Sequence, residues 1–296
     1  MVFNNNEQGI TVTVSNLVAT DTITIKYTVN GVDKGSVVTN LAETSQTFNV
    51  KEINANTYSV SLYEITDSNN YTLPDNLGTF TIAQKEIGFS WDYSGTAFVY
   101  DGNAHSVVAT PTGLVDNATL TLAYSTNGTD GNSAVVPNNY TTTVTEIAGT
   151  GAQNYKLGAE NTRSINWVID KRTLSVEWSG SEFTYNGSSQ GATVIIGDIV
   201  SEDVVGIIAK INEETPVSFV TTSYTFGKVH TGTYTATITG LDTANYSDSA
   251  YYKLPANVSY NFRIVQREIG ITWATDTLAT STGNDKLAWN EFATTN

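Results

Sequence analysis

A chain of 296 residues with 29 acidic and 14 basic side chains carries a formal charge of −15, which repels phosphate backbones and anionic membranes. It has no cysteine and two histidines, which removes disulfides and thiol chemistry and leaves little for zinc, copper or general-base catalysis. No run of 18 apolar residues occurs, so no spanning helix is expected. No basic-then-apolar leader follows Met1, as in a cytosolic or already processed chain.

Taken in chain order, the sequence is a succession of period-two alternations separated by turn signals. The first segment predicts strands at residues 9–14 and 22–27, then an Asn70-Tyr71 pair and a closing strand Phe80-Thr81-Ile82. Gln84-Lys85-Glu86-Ile87-Gly88-Phe89-Ser90-Trp91 follows, and it recurs as Gln266-Arg267-Glu268-Ile269-Gly270-Ile271-Thr272-Trp273 with five of eight positions identical. A weaker copy, Lys171-Arg172-Thr173-Leu174-Ser175-Val176-Glu177-Trp178, lies between them, so similar modules repeat about every 90 residues. After each of the first two Trp-bearing strands comes an aromatic-Tyr-turn element, Phe98-Val99-Tyr100-Asp101-Gly102 and Phe183-Thr184-Tyr185-Asn186-Gly187. A Gly232-Thr233-Tyr234-Thr235-Ala236 type strand, a second and third Asn-Tyr pair (Asn154-Tyr155, Asn245-Tyr246) and the closing strands Trp167-Val168-Ile169 and Phe262-Arg263-Ile264 complete the pattern.

The order of these motifs resembles bacterial immunoglobulin-like repeats of the MBG/YDG type. The match is best over residues 85–267 and reaches back to the second strand of the first segment. The resemblance implies stalks and arrays in secreted or surface-anchored bacterial proteins, often adhesins, and it implies no catalysis. The expected fold is all-β: three tandem immunoglobulin-like β-sandwich domains in a rod, with an extra C-terminal strand segment. The expected boundaries are 1–84, an incomplete domain lacking its opening strand; 85–170; 171–266; and 267–296, an isolated opening strand segment. Turn signals every 8–12 residues or so suit such sandwiches. The modules abut with almost no spacer, which restricts the angle between them.

Few residues offer chemistry. Asp101, His105 and Ser106 sit on one turn and the strand after it, whereas a hydrolytic triad is assembled from separate segments around an oxyanion hole. No enzyme and no cofactor are expected. Calcium at the junctions is the one metal worth naming, with Glu86, Asp92, Asp101, Asp170 and Glu182 as carriers. No Asp-x-Asp-x-Asp-Gly loop occurs, and a solvated acidic face is the preferred reading. Trp91, Trp178 and Trp273 recur at one repeat position, as core residues do, while Trp289 falls outside the pattern.

Nothing upstream of residue 9 matches 85–91, and about 30 residues cannot fold alone. Two expectations follow: a slice of a longer array, or a filament subunit in which the tail strand of one copy completes the first domain of the next. In the second, the donor residues are Ile269, Ile271 and Trp273, with Leu287 and Trp289 as further anchors, and the acceptor groove holds Ile23, Ile25, Val60 and Leu62. Residues 286–289 correspond to a strand that the first domain already has, so the complement overruns the gap. The expected partners are other copies or neighbouring repeats, with a glycan or host protein bound by exposed loops as the alternative, and the expected place is extracellular or at the cell surface.

Overall fold

The computed structural model describes residues 1–39, 42–66, 69–74 and 78–272, and it is all-β. Among the described residues the helical elements are three 3-10 turns, Ala152–Asn154, Glu160–Thr162 and Ser247–Tyr251. One sheet recurs three times with the same strand order. In the first repeat it runs Val32–Val38, Thr24–Val29, Asn56–Ile65, Gly78–Ile82. In the second it runs Thr129–Asp130, Thr119–Thr126, Asn138–Thr150, Ser164–Asp170, Phe98–Val99. In the third it runs Val217–Phe219, Ile207–Ile211, Gly232–Leu241, Ser259–Val265, Glu182–Thr184.

The last strand in that order pairs in parallel with the closing strand. The first repeat has a counterpart that its sequence does not advertise. Val2 bridges Ala83 in parallel, and the Phe3 N–H donates to Ala83 O at 2.9 Å, as Tyr100 does to Asp170 and Tyr185 to Val265. Met1-Val2-Phe3-Asn4-Asn5 is therefore the first repeat's version of the aromatic-Tyr-turn element. Asn5 takes the left-handed backbone (φ 62°) held by Gly102 and Gly187 (φ 80° each), which asparagine tolerates better than most residues.

Local devices repeat at matching positions. The hairpin asparagines Asn30, Asn127 and Asn212 sit at φ 49°, 48° and 49°, and their Oδ1 atoms accept the N–H of Ser59, Thr141 and Thr235 at 2.8, 2.8 and 2.9 Å. Each repeat has a β-bulge in the pairing of its hairpin strand with the long strand, at Lys26/Tyr27, Ala123/Tyr124 and Ile208/Ala209. Tyr58, Tyr140 and Tyr234 donate their hydroxyls to the carbonyl four residues upstream, at 2.8, 2.6 and 2.9 Å, and each stacks on the aromatic of its closing strand, Phe80, Trp167 or Phe262.

The tryptophans correct one expectation. Trp91 and Trp178 are half-buried and pack against the core from its margin, while among the described residues the fully enclosed tryptophan is Trp167, 1% exposed, whose Nε1 donates to Thr142. The Asn-Tyr alignment also shifts. The counterpart of Tyr155 in the third repeat is Tyr252, not Tyr246, because the 3-10 turn Ser247–Tyr251 is inserted between them.

A second sheet contains the Trp-bearing opening strand. In the second repeat Lys85–Trp91 lies between Ala109–Thr112, antiparallel, and Tyr155–Leu157, parallel. In the third, Ser175–Ser179 pairs with Gln190–Gly197, and the preceding Arg172–Thr173 pairs in parallel with Tyr252–Lys253. The apolar faces of both sheets of the third repeat meet in one core, Val194, Ile196 and Phe226 against Ala209, Ile238 and Phe262.

Candidate assembly interface: an open strand slot

In the first repeat the two flanks of the opening strand are present, and no strand lies between them among the described residues. Gln8-Gly9-Ile10-Thr11-Val12-Thr13-Val14-Ser15 is the equivalent of Gln190-Gly191-Ala192-Thr193-Val194-Ile195-Ile196-Gly197. Both are paired on one edge, with Ser45–Glu52 and Ser223–Lys228, in the same register: Gly9 opposite Lys51, and Gly191 opposite Gly227. A Cβ on Gly9 would lie 1.8 Å from Val50 O, and one on Gly191 would lie 1.7 Å from Phe226 O, so the two strands share even this close approach. On its other edge Gln190–Gly197 pairs with the opening strand, whereas Gln8–Ser15 pairs only with Ser45–Glu52 among the described residues.

The far flank is Tyr71-Thr72-Leu73. It is identified by a three-atom clasp found once per repeat, in which a backbone N–H donates to a tyrosine hydroxyl that donates to an aspartate. The members are Val18, Tyr71 and Asp21 (3.1 and 2.8 Å), Val115, Tyr155 and Asp116 (3.0 and 2.6 Å), and Val200, Tyr252 and Asp203 (2.8 and 2.5 Å). Burial and the adjoining carboxylate both hold the Tyr155 and Tyr252 hydroxyls above the ordinary tyrosine range, so they remain donors.

Between these flanks lies a cavity of about 500 Å³, lined by Thr13, Val14, Leu17, Ile25, Leu62, Ile65, Tyr71 and Leu73 among others. Of the four expected acceptor residues, Ile25 and Leu62 line it. Ile23 is fully buried in the small cluster beneath, with Leu17 and Ile25. Val60 is a correction: it belongs to a different cluster, with Val29, Val50, Tyr58 and Phe80, toward the second repeat, because residues two apart on one strand face occupy successive layers of a core. Val14, Leu17, Ile65, Tyr71 and Leu73 were not anticipated, although Tyr71 carried a visible signal in its Asn-Tyr pair.

Registers in the complete repeats say which residue type fills each place. Ile87 pairs with Leu157, and Leu174 follows directly on the pairs of Arg172–Thr173; their exposures are 3% and 1%. The aligned residue in the tail is Ile269, 78% exposed, and Ile271, aligned with Phe89 and Val176, is 67% exposed. Residues 266–272 carry no strand pairing among the described residues. Trp273, Leu287 and Trp289 lie outside the described residues.

The remaining candidates are dispersed. Asp92 accepts the Val108 N–H at 2.7 Å, Asp101 accepts the Asn103 N–H and contacts His105 Nε2 at 3.1 Å, and Glu182 pairs with Arg263. Among the described residues no group of three or more His, Asp or Glu side chains is placed to hold a metal ion. The His105 ring stacks on Phe98 at 4.7 Å. No helix is long and apolar enough to cross a membrane among the described residues. No protein-family model matches the sequence, and no curated protein matches it.

Proposed function

We propose that this protein is a non-enzymatic structural protein of the extracellular space or bacterial cell surface, built of three tandem immunoglobulin-like sandwiches of the MBG/YDG kind. Copies join head-to-tail by strand complementation, the 267–273 segment of one copy entering the slot of the next. The observation that carries this reading is the slot itself, bounded by the same two flanks that enclose the opening strand elsewhere, together with an exposed segment, at the other end of the sequence, that has that strand's sequence. The three tyrosine hydroxyls bonded four residues back are a feature of immunoglobulin-like sandwiches and support the fold part of the proposal. Strand addition supplies main-chain hydrogen bonds for affinity and side-chain pockets for selectivity, and a head-to-tail contact that does not close builds a filament.

Electron microscopy of the full chain beside a chain lacking residues 267–296 tests the proposal. Long fibres from the first and monomers from the second are the expected result. A synthetic peptide of residues 266–274 should also raise the melting temperature of the shortened chain. Peptide binding by a full chain that stays monomeric would overturn polymerisation. It would assign the slot to an opening strand from a neighbouring repeat of a longer array, and the protein to a surface stalk. Recognition of a sugar by exposed loops calls for clustered exposed aromatics. Among the described residues the aromatics more than a third exposed are Tyr63 and Tyr185, which lie in different repeats.

A further inference from the structure

Each internal junction is built from two halves. The C-terminal end of one repeat offers the aromatic of its aromatic-Tyr-turn element, and the next repeat offers its clasp. Phe3 meets Tyr155 edge-on at 5.5 Å, and Tyr100 meets Tyr252 edge-on at 5.7 Å. At the second junction the Tyr100 hydroxyl also donates to Asp203 at 2.9 Å, alongside that of Tyr252. Gly102 packs against Val200 so closely that a Cβ would sit 2.7 Å from its Cγ1.

The chain carries one further half of each kind, and each has an exposed member, Tyr185 in one and Val18 in the other. Tyr185 has the backbone position of Tyr100 but is 38% exposed where Tyr100 is 4%. Among the described residues nothing lies within 4 Å of a Cβ on Gly187, the counterpart of Gly102. At the other end Val18, the counterpart of Val200, is 56% exposed, and Asp21 and Tyr71 hold the same clasp as Asp203 and Tyr252. Tyr185 also lines an open cavity with Thr231, Arg267 and Ile269, which places the aromatic and the donor segment on one face.

We infer that two copies meet through a replica of the second internal junction, in which Tyr185 of one copy donates its hydroxyl to Asp21 of the next and Gly187 seats Val18. This rests on the strand-complementation reading and adds a second, rigid contact to it. The angle between copies then equals the angle between the second and third repeats, and the filament is uniform across subunit boundaries.

Sedimentation velocity over a concentration series separates the two ideas. Ile269→Asp with Ile271→Asp should abolish assembly; if it does not, the strand reading itself fails. Tyr185→Phe keeps the ring and should raise the concentration for half-assembly by about ten- to a hundredfold, the effect of one hydrogen bond to a carboxylate. Asp21→Asn should have a similar effect, and the double variant should be no worse than the more affected single one, because every joint loses the same bond. Tyr185 is exposed in the monomer, so its substitution should leave the monomer's melting temperature unchanged. Assembly by Tyr185→Phe at the wild-type concentration, with the strand variant inactive, would overturn the joint and leave the strand contact standing.

Discussion

At the scale of single residues the clasp sets the stability of each junction. Tyr252 is 1% exposed and joins the Val200 N–H to the Asp203 carboxylate, so Tyr252→Phe strands a partly buried donor and a carboxylate together. Its expected cost is about 1–3 kcal/mol, read as a lower urea midpoint. Burial first, and the bond to Asp203 second, raise both Tyr100 and Tyr252 above the ordinary tyrosine range. A raised value means that the folded chain keeps protons the unfolded chain releases. This stability is therefore complete below about pH 10 and falls as pH rises through it. Urea midpoints at pH 8 and pH 10.5 should differ in that direction, and Tyr252→Phe should shrink the difference. Tyr71 and Tyr155 were visible in the sequence through their Asn-Tyr pairs, but Tyr252 and the three aspartates were not. Asp21, Asp116 and Asp203 lie 50, 39 and 49 residues from their tyrosines, and no local pattern ties such distances together.

At the scale of strands the alternation and the turn dipeptides were enough to locate most elements, since a half-buried strand must alternate and a tight hairpin needs residues that accept positive φ. The strand expected at residues 9–14 lies within Gln8–Ser15, and its register, Ile10 opposite Val50, matches that of Ala192 opposite Phe226 in the third repeat. Two elements escaped. Met1-Val2-Phe3 has neither the tyrosine nor the glycine of its counterparts, and the insertion at Ser247–Tyr251 moved the third Asn-Tyr signal off its true partner. The equivalence of Gly9 and Gly191 makes a sharp prediction. Gly191→Ala forces its Cβ into the Phe226 carbonyl, so the ladder must part, at a cost of about 2–4 kcal/mol in thermal or urea unfolding. Gly187→Ala meets open space but takes on a left-handed backbone at φ 80°, so its smaller loss, about 1 kcal/mol, comes from that strain alone.

At the scale of the whole molecule, the repeats do not keep separate cores. One cluster joins Tyr100, Tyr140 and Trp167 of the second repeat to Leu174, Val194 and Phe262 of the third, and another joins Phe3, Tyr58 and Phe80 of the first to Ile87 and Tyr155 of the second. The junctions were legible in the sequence only as missing linkers; the merging of cores depends on Phe3, Ile87 and Leu174 facing across the boundary, which periodicity cannot report. Leu174 is 1% exposed within a shared core, so Leu174→Ala should cost about 2–5 kcal/mol. Calorimetry should show the second and third repeats melting together at a lower temperature rather than one repeat shifting alone.

The direct passage from closing strand to opening strand has a mechanical consequence. Only Lys171 separates Ser164–Asp170 from Arg172–Thr173, and two residues separate Gly78–Ile82 from Lys85–Trp91. A pull along the chain therefore leaves one repeat through a ladder-paired strand and enters the next through another, and at each junction one of the two, Lys85–Trp91 or Ser164–Asp170, is held on both edges. Loaded along their length, such strands resist by shear, with their ladder bonds stretched together instead of peeled one at a time. Tension is handed from sheet to sheet with no slack element to lengthen first, and the chain behaves as a cable under load and not as a spring.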